Sequence, residues 1–364
     1  MRINFNVLDR QYLKYKEEYN NKALEVLNSG YYIGGPEVKS FEEEFASKYN
    51  AKYCVSLANG YDALWISLQV LGIKLGDEVL VQSNGYIATI NAIITLGATP
   101  VFVEPNEFYN MDTNIEHLIN DKTKAIIVTH LYGQSTNMKK FCELKEKYNL
   151  ILMEDCAQAH GAKYKDNFVG SIGDVGCFSF YPSKNLGCFG DGGAILTNNE
   201  ELAKNIRTFA NYGSNKRYYN EVVGTNSRLD SIQAGLLRVK LKHIDELTNE
   251  RIKIANYYLS NINNELVSLP KLDEHCSSVW HLFVVSVEDR EDFMDYLDDN
   301  QIQTIIHYPI PPHMQESLSY LGYKDEDFPV ALKYSKTIVS LPFYNGMTDE
   351  EMKYVVDTIN GYKK

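Results

Sequence analysis

The hydrophobic positions between residues 50 and 200 form short apolar runs that alternate with amphipathic stretches. Such runs predict buried strands, and the stretches between them, with apolar residues at helical spacing, predict helices. The predicted strands are 53–58, 78–82, 100–104, 125–129, 150–154, 176–181 and 193–197, and the predicted helices are 61–71, 86–96, 114–119 and 138–148. Continuous apolar strands between helices are typical of the α/β class, with a mainly parallel sheet covered on both faces.

The pattern changes in the last third of the chain. One long helix is predicted over residues 229–262, followed by strands at 281–287 and 303–307. Further helices are predicted at 289–299, 329–337 and 348–360. This mixture indicates a smaller α+β domain, so we expect a large domain over residues 1–240 and a small domain over residues 241–364.

Composition and charge narrow the class of protein. A length of 364 residues suits about two domains. The formal net charge of −12 argues against a protein that coats nucleic acid or an anionic membrane. The N-terminal residues are polar, unlike a secretory signal, and no apolar run has the length of a membrane span. Six scattered cysteines without a C-x-x-C pair indicate free thiols in a reducing cytoplasm, and no metal site is expected.

Three segments place chemically active residues at the carboxyl ends of predicted strands, where open α/β sheets bind ligands. Gly60 lies in a strand-to-helix turn, Asp155 follows a buried strand, and Lys184 follows Ser179 in a Gly-rich zone. Taken singly, each has an ordinary alternative: a simple turn, a helix cap and a surface loop. Taken together, they match the needs of pyridoxal phosphate (PLP), which takes a Schiff-base lysine, a carboxylate for the pyridine nitrogen and a phosphate cradle.

The same residues lie in longer motifs that resemble a known family. The strings NGYDAL, EDCAQAHGA, SFYPSKN, GTNSRLDSIQAGLLRVKL and HYPIPPH resemble the DegT/DnrJ/EryC1/StrS sugar aminotransferases, and the similarity spans nearly the whole chain. The resemblance implies the aspartate-aminotransferase fold (PLP fold type I), with a mainly parallel seven-stranded sheet in the large domain. It also implies PLP as cofactor, with pyridoxamine phosphate as its amino form during the reaction.

The resemblance assigns roles to individual residues. Lys184 is implied as the Schiff-base lysine and catalytic base, and Asp155 as the partner of the pyridine nitrogen. Gln158 is implied to contact the 3-oxygen of the ring, and Tyr86 to stack on it. The implied cofactor-binding set as a whole is Gly60, Tyr61, Tyr86, Asp155, Gln158, Ser179, Lys184 and Asn226.

Two features concern the phosphate and the neighbouring subunit. Asn226 matches the family residue that reaches the phosphate from a second subunit, so the resemblance implies a homodimer with shared active sites. Family members often have Thr or Ser where this chain has Tyr61, so only a backbone contact is expected from that position.

The residues implied to line the nucleotide-sugar site are Tyr181, Arg217, His307 and Tyr308.

The motif strings favour amination at C3 of the sugar. The implied reaction transfers the amino group of L-glutamate to a dTDP-3-oxo-6-deoxyhexose, giving 2-oxoglutarate and a dTDP-3-amino-3,6-dideoxyhexose of gluco or galacto configuration for glycan or O-antigen synthesis. The alternative is a 4-aminotransferase acting on a nucleotide-linked 4-oxo-6-deoxy sugar. A dehydratase is disfavoured because Lys184 is present and no Cys cluster could hold iron and sulfur. A regulatory PLP-binding module is disfavoured because no basic DNA-binding segment is visible.

Overall fold

A computed structural model describes residues 1–363 and contains four sheets. The strands of the largest sheet are β1 (Tyr53–Leu57), β2 (Glu78–Gln82), β3 (Thr99–Val103), β4 (Thr123–Thr129), β5 (Ile151–Asp155), β8 (Val175–Ser179) and β9 (Gly193–Thr197). Three two-stranded sheets pair β6 (Lys163–Tyr164) with β7 (Asn167–Phe168), β10 (Ser214–Lys216) with β11 (Tyr219–Asn220), and β12 (Phe283–Ser286) with β13 (Ile338–Leu341). All seven predicted strands before residue 200 are therefore present.

Helices cover both faces of the large sheet and build much of the C-terminal part. The helices up to residue 210 are α1 (Asp9–Lys14), α2 (Lys16–Ser29), α3 (Pro36–Lys48), α4 (Gly60–Val70), α5 (Ile87–Thr95), α6 (Lys139–Tyr148) and α7 (Glu200–Ala210). Those that follow are α8 (Ser231–Lys242), α9 (Ile244–Asn261), α10 (Arg290–Asp299), α11 (Pro329–Thr337) and α12 (Asp349–Gly361). The predicted helix at 114–119 is a single 3₁₀ turn, Glu116–Leu118.

The seven-stranded sheet has the order β1-β9-β8-β5-β4-β2-β3. β9 runs in the opposite direction to the other six strands, and the pairs from β8 to β3 are all parallel. Successive residues of the central strands pack into different cores, because side chains alternate between the two faces of a strand. In β4, Ile127 packs into one hydrophobic cluster and Ile126 into another. This confirms the α/β class and the mainly parallel sheet, buried on both faces.

The predicted helix over residues 229–262 is wrong as a single element. His243 has non-helical backbone angles, which end α8 at Lys242 and begin α9 at Ile244. The imidazole of His243 stacks on Tyr15 with ring centroids 3.9 Å apart, and its Nε2 lies 2.9 Å from a carboxylate oxygen of Glu18. The break therefore lies where the N-terminal helices pack, a contact that periodicity within residues 229–262 does not reveal.

The predicted strand at 303–307 is also wrong. Ile305 makes only an isolated bridge to Ser340, and the strand that pairs with β12 is β13, directly after α11. Four apolar-rich residues after a helix were too short a signal to predict β13. Hydrogen bonding to β12 is what makes this segment a strand.

The division into domains near residue 240 stays a prediction, and two observations bear on it. A separate hydrophobic core gathers residues from Ile254 to Tyr362 and includes Ile3 from the N terminus. Leu318 and Phe328, by contrast, pack into the core of the large sheet. The C-terminal segment thus contacts both cores.

Glu154, at the end of β5, anchors the loop that leads into β8. Its buried carboxylate accepts hydrogen bonds from the backbone N–H groups of Gly170, Ile172 and Gly173 at 2.7–2.9 Å. His130 lies 3.1 Å away and accepts the N–H of Thr136 at Nδ1, so its Nε2 carries the hydrogen and donates to Glu154. Glu154 is thus a structural acceptor next to Asp155 in the chain.

We expect Glu154→Gln to lower the free energy of unfolding by about 1–3 kcal/mol, because the amide NH₂ would face buried N–H donors in place of an acceptor. Glu116→Gln is the matched control, since Glu116 pairs with Lys140 and Lys147 at the surface, where water screens such pairs and they add little to stability. Urea denaturation measures both. Equal stability of the two variants would contradict the anchoring role of Glu154.

Candidate active site

A cavity of about 530 Å³ lies at the carboxyl edge of the large sheet. Residues from the turn before α4, the start of α5, the ends of β5 and β8 and the loop after β8 line it, together with residues 281, 307 and 308. It therefore has the place and the size expected of a ligand site in an open α/β sheet. Ten of the predicted site residues line it: Gly60, Tyr61, Tyr86, Asp155, Gln158, Ser179, Tyr181, Lys184, His307 and Tyr308.

Lys184 lies in the loop after β8, with its backbone N–H bonded to the carbonyl of Tyr181 at 2.8 Å. Burial of the side chain lowers the pKa of the amine to about 8, and the nearby carboxylate of Asp155 partly opposes the shift. A lower pKa leaves more neutral amine near pH 7 than an exposed lysine has. A neutral amine is what nucleophilic attack and proton abstraction require.

Asp155 ends β5 with its carboxylate held by two donors. The hydroxyl of Thr89 donates to Oδ2 at 2.7 Å, and the backbone N–H of Ala157 donates to Oδ1 at 3.1 Å. Each carboxylate oxygen has further lone-pair capacity beyond one such bond. The side chain is thus oriented by protein groups and still able to accept a hydrogen bond from a protonated ring nitrogen in the cavity.

Gln158 has an amide whose orientation is set by its partners. Its Oε1 accepts the backbone N–H of Tyr132 at 2.7 Å, so the opposite side of the amide is the NH₂. That NH₂ lies 3.2 Å from the hydroxyl of Tyr308, on the wall of the cavity. Gln158 therefore offers a donor, as a contact to an anionic ring oxygen requires.

The turn before α4 forms an open donor site for an anion. Asn59 caps the helix by accepting the N–H of Asp62, whereas the N–H groups of Gly60 and Tyr61 have no acceptor within residues 1–363. A Cβ on Gly60 would lie 2.5 Å from the Cβ of Ser179, so only glycine lets this turn approach the end of β8 so closely. Two free N–H groups at a helix N-terminus beside a serine hydroxyl suit a phosphate.

The side chain of Tyr61 points away from this turn. Its hydroxyl bonds to the Thr95 hydroxyl at 2.7 Å, at the end of α5. The phenol is therefore engaged elsewhere, which agrees with a backbone contact alone from this position.

Aromatic side chains form the rim of the cavity. Tyr86 is 53% exposed at the start of α5, and its ring centroid lies 5.3 Å from that of Tyr308. His307 bonds through Nδ1 to the hydroxyl of Ser340 at 2.9 Å. Burial, with Lys184 nearby, lowers the pKa of His307 to about 4, so this histidine is neutral at pH 7. Tyr181 is exposed at the mouth of the cavity.

The residues present fit PLP. The free N–H groups near Gly60 suit the phosphate, the Asp155 carboxylate suits the pyridine nitrogen, and the Gln158 NH₂ suits the ring oxygen. Lys184 supplies the amine, and Tyr86 an exposed aromatic face that a ring can cover. Each polar end of the cofactor thus has a complementary group on this wall.

Asn226 and Arg217 lie outside this cavity, on exposed segments of the same chain. Arg217 occupies the turn between β10 and β11, where its guanidinium lies 5.0 Å from the ring centroid of Tyr218. Asn226 forms an isolated bridge with Asn211. Neither residue reaches the site of its own chain. For Asn226 this is required by the prediction that it acts in the site of a second subunit.

Thr89 and His281 line the cavity but were not predicted as site residues. Thr89 lies one turn into α5 after Tyr86, a spacing that places both on the side of the helix facing the sheet edge. His281 precedes β12, far along the chain, and only the folded structure brings it to Lys184.

We expect Thr89→Val to lower kcat about tenfold or more, because the isosteric side chain removes a hydrogen bond to a buried carboxylate. Steady-state kinetics with a saturating amino donor measures the effect. Thr358→Val in α12 makes the same substitution far from the cavity and is expected to leave kcat unchanged. A kcat for Thr89→Val equal to that of this control would show that Asp155 needs no support from Thr89.

Comparison with known proteins agrees with this geometry. Residues 14–360 match the model of the DegT/DnrJ/EryC1/StrS aminotransferase family. A dTDP-3-amino-3,6-dideoxy-alpha-D-galactopyranose transaminase from Aneurinibacillus thermoaerophilus is 50% identical over 96% of each chain. The crystal structure of S. venezuelae DesV in complex with a ketimine intermediate has a TM-score of 0.96 at 39% identity, covering 99% of this chain and 98% of that one.

A further solved structure contains the amino form of the cofactor. It is the crystal structure of ntda from Bacillus subtilis with bound PMP, at a TM-score of 0.91 and 31% identity, covering 98% of this chain and 84% of that one. The cavity, the fold and the matched sequence lead to one conclusion: the chain belongs to the DegT/DnrJ/EryC1/StrS aminotransferase family and is a PLP-dependent sugar aminotransferase.

Proposed function

We propose that the chain transfers the amino group of L-glutamate to C3 of a dTDP-3-oxo-6-deoxyhexose, giving 2-oxoglutarate and a dTDP-3-amino-3,6-dideoxyhexose. The observation that carries the aminotransferase chemistry is the single cavity shared by Lys184, Asp155 and the open turn at Gly60. The relative that is 50% identical over nearly the whole chain supports C3, the dTDP nucleotide and the galacto configuration.

In the proposed mechanism PLP, when bound, would supply an electron sink and a group able to accept and release an amine. Lys184 Nζ is the base that moves the proton between the substrate carbon and C4′ of the cofactor. Its lowered pKa lets this amine be neutral in part near pH 7 and still hold the proton between the two transfers. Asp155, held by Thr89, would accept a hydrogen bond from the ring nitrogen and so favour the protonated form of the ring.

The outer part of the cavity suits a sugar nucleotide. The hydroxyls of Tyr181 and Tyr308 and the neutral imidazole of His307 can bond to sugar hydroxyls. Arg217, which is exposed in the turn between β10 and β11 and lies outside the cavity of its own chain, is proposed to face the diphosphate of a substrate bound in the neighbouring subunit. A guanidinium suits a diphosphate because its donors match phosphate oxygens in pairs.

We propose a homodimer in which Asn226 of one chain reaches the cofactor phosphate of the other. Large exposed apolar side chains lie on the segments that such a contact would use. They include Tyr31, Tyr32 and Ile33 after α2, and Val222 and Val223 just before Asn226. Burial of these side chains against a second copy would remove apolar surface from water, which favours association.

The cytoplasm is the proposed location. All six cysteines are unpaired in the structure, as expected of a protein kept in a reducing compartment. Within residues 1–363 no helix has both the length and the apolar character needed to cross a bilayer.

The position of amination can be read from the product. Incubation with L-glutamate and PLP is expected to convert a dTDP-3-oxo-6-deoxyhexose to a product whose NMR spectrum places the amine at C3. Wild-type protein should form 2-oxoglutarate in the same reaction, and Lys184→Ala should form none, because no other amine lies in the lining of the cavity.

Two results would redirect this proposal. An amine at C4 of a nucleotide-linked 4-oxo sugar, with no reaction of 3-oxo sugars, would favour the 4-aminotransferase. Release of ammonia, with no amine in the sugar product, would instead indicate a dehydratase.

The shared active site can be tested by mixing two inactive variants. Lys184→Ala and Asn226→Ala chains, co-expressed with different tags, form mixed dimers in which one site has both Lys184 and a partner's Asn226. We expect the mixture to recover about one quarter of wild-type activity, because half of randomly formed dimers are mixed and each has one complete site. The separate variants are the baselines.

Recovery that stays at the baselines, with mixed dimers verified by their tags, would show that Asn226 does not act across subunits. A monomer at all concentrations in sedimentation would contradict the dimer itself.

A further inference from the structure

His281 lies in the wall of the cavity that contains Lys184, two residues before the start of β12. Only 6% of its surface is exposed. Its surroundings fix three properties: the position of its backbone, which ring nitrogen carries the hydrogen, and the charge of the ring. These properties connect it to Lys184.

The backbone of His281 is held by a buried guanidinium. Arg251, in α9, donates from Nη2 to the carbonyl of His281 and from Nε to that of Trp280, each at 2.8 Å. It donates further to Asn345 Oδ1 at 3.0 Å. Burial lowers the pKa of Arg251 to about 10, which still leaves it charged at pH 7. The charged guanidinium of Arg251 thus fixes the backbone of residues 280 and 281 from α9.

The ring of His281 bonds to the residue after Lys184. Its Nδ1 lies 3.2 Å from Oδ1 of Asn185, whose Nδ2 donates to the carbonyl of Val279 at 2.8 Å. Because a backbone carbonyl can only accept, the NH₂ of Asn185 must face Val279 and its oxygen must face the ring. An amide oxygen also only accepts, so Nδ1 of His281 carries the hydrogen.

The second ring nitrogen, Nε2, is therefore an acceptor when the ring is neutral. The surroundings of His281 keep the ring neutral. Burial lowers the pKa of His281 well below its ordinary value, and Lys184, Arg251, His307 and His160 act in the same direction. The carboxylates on the cavity wall, Asp155 and Asp191, do not reverse the shift. At pH 7 His281 has a hydrogen on Nδ1 and a lone pair on Nε2.

We infer that His281 is a positioning residue for Lys184: its Nδ1 fixes the adjacent Asn185, and its Nε2 offers a hydrogen-bond acceptor to the Lys184 amine. The inference rests on the proposed role of Lys184 as the base. It adds a group that holds the amine in place while it carries the proton and that connects its loop, through Arg251, to α9.

An acceptor that bonds to the amine would have a defined electrostatic effect. A lone pair stabilises the ammonium form of Lys184, which opposes the lowering of its pKa by burial. Loss of Nε2 should therefore lower the pKa of Lys184 further. Loss of the bond to Asn185 should instead affect the placement of the loop and leave that pKa nearly unchanged.

Two substitutions separate these effects. His281→Asn keeps a donor near the position of Nδ1 and removes Nε2, whereas His281→Gln places its amide near Nε2 and removes the donor to Asn185. The pKa of Lys184 is measured in cofactor-free protein from the pH dependence of its reaction with fluorodinitrobenzene, followed by peptide mass spectrometry. His281→Asn is expected to react about fivefold faster at pH 7, as for a pKa lowered by about one unit.

His281→Gln is expected to keep the wild-type pKa of Lys184 and to lower kcat, with an unshifted pH profile. His313→Asn is the matched control, because His313 is also buried but packs against Phe328, 4.7 Å between ring centroids, outside the cavity. Its Lys184 reactivity should equal that of wild type. An unchanged reactivity of Lys184 in folded His281→Asn would overturn the inference.

A measurement on the wild-type protein covers the case in which the variants do not fold. The ¹⁵N shifts of labelled imidazoles at pH 7 should show His281, assigned with Asn185→Ser, as protonated at Nδ1 and unprotonated at Nε2. A hydrogen on Nε2 would equally overturn the inference. Neither readout involves a sugar, so an error in the proposed substrate would leave both results unchanged.

Discussion

Burial of one amine is the constraint on which the site depends. Lys184 must leave water to be partly neutral near pH 7, and the structure provides for this at the end of β8, where the sheet and the following loop surround it. Of the charged groups on the cavity wall, Asp155 acts on the amine and favours its ammonium form, while His281 and His307 are held neutral. A second cation in direct contact would make the amine too weak a base, and a second carboxylate that acted on it as Asp155 does would keep it protonated.

Much of this arrangement follows from local sequence. The strands of the large sheet are short apolar runs between helices, so their existence, order along the chain and buried faces could be predicted. Because parallel strands end at one edge, Asp155 and the residues near Gly60 and Ser179 had to meet there. The resemblance to a family then supplied roles for Gln158, Tyr86 and Tyr308, which no periodicity indicates.

The remaining parts depend on contacts between distant segments. Thr89 is an ordinary helical threonine until Asp155 lies 2.7 Å from its hydroxyl. The break at His243 arises where Tyr15 and Glu18 meet it, and β13 exists because β12 lies beside it. Residue 281 becomes part of the site only through Arg251 and Asn185. In each case the deciding partner is far away in the chain, beyond what a local pattern contains.

The contact between Gly60 and Ser179 joins two strands that are not neighbours, since β9 lies between β1 and β8. A phosphate bound by the N–H groups of the turn and by the serine hydroxyl would bridge the antiparallel edge of the sheet across β9. The cofactor would then stabilise the fold as well as take part in the reaction, because its binding free energy adds to the stability of the folded chain. Removal of the cofactor would therefore lower the stability of the folded chain as well as its activity.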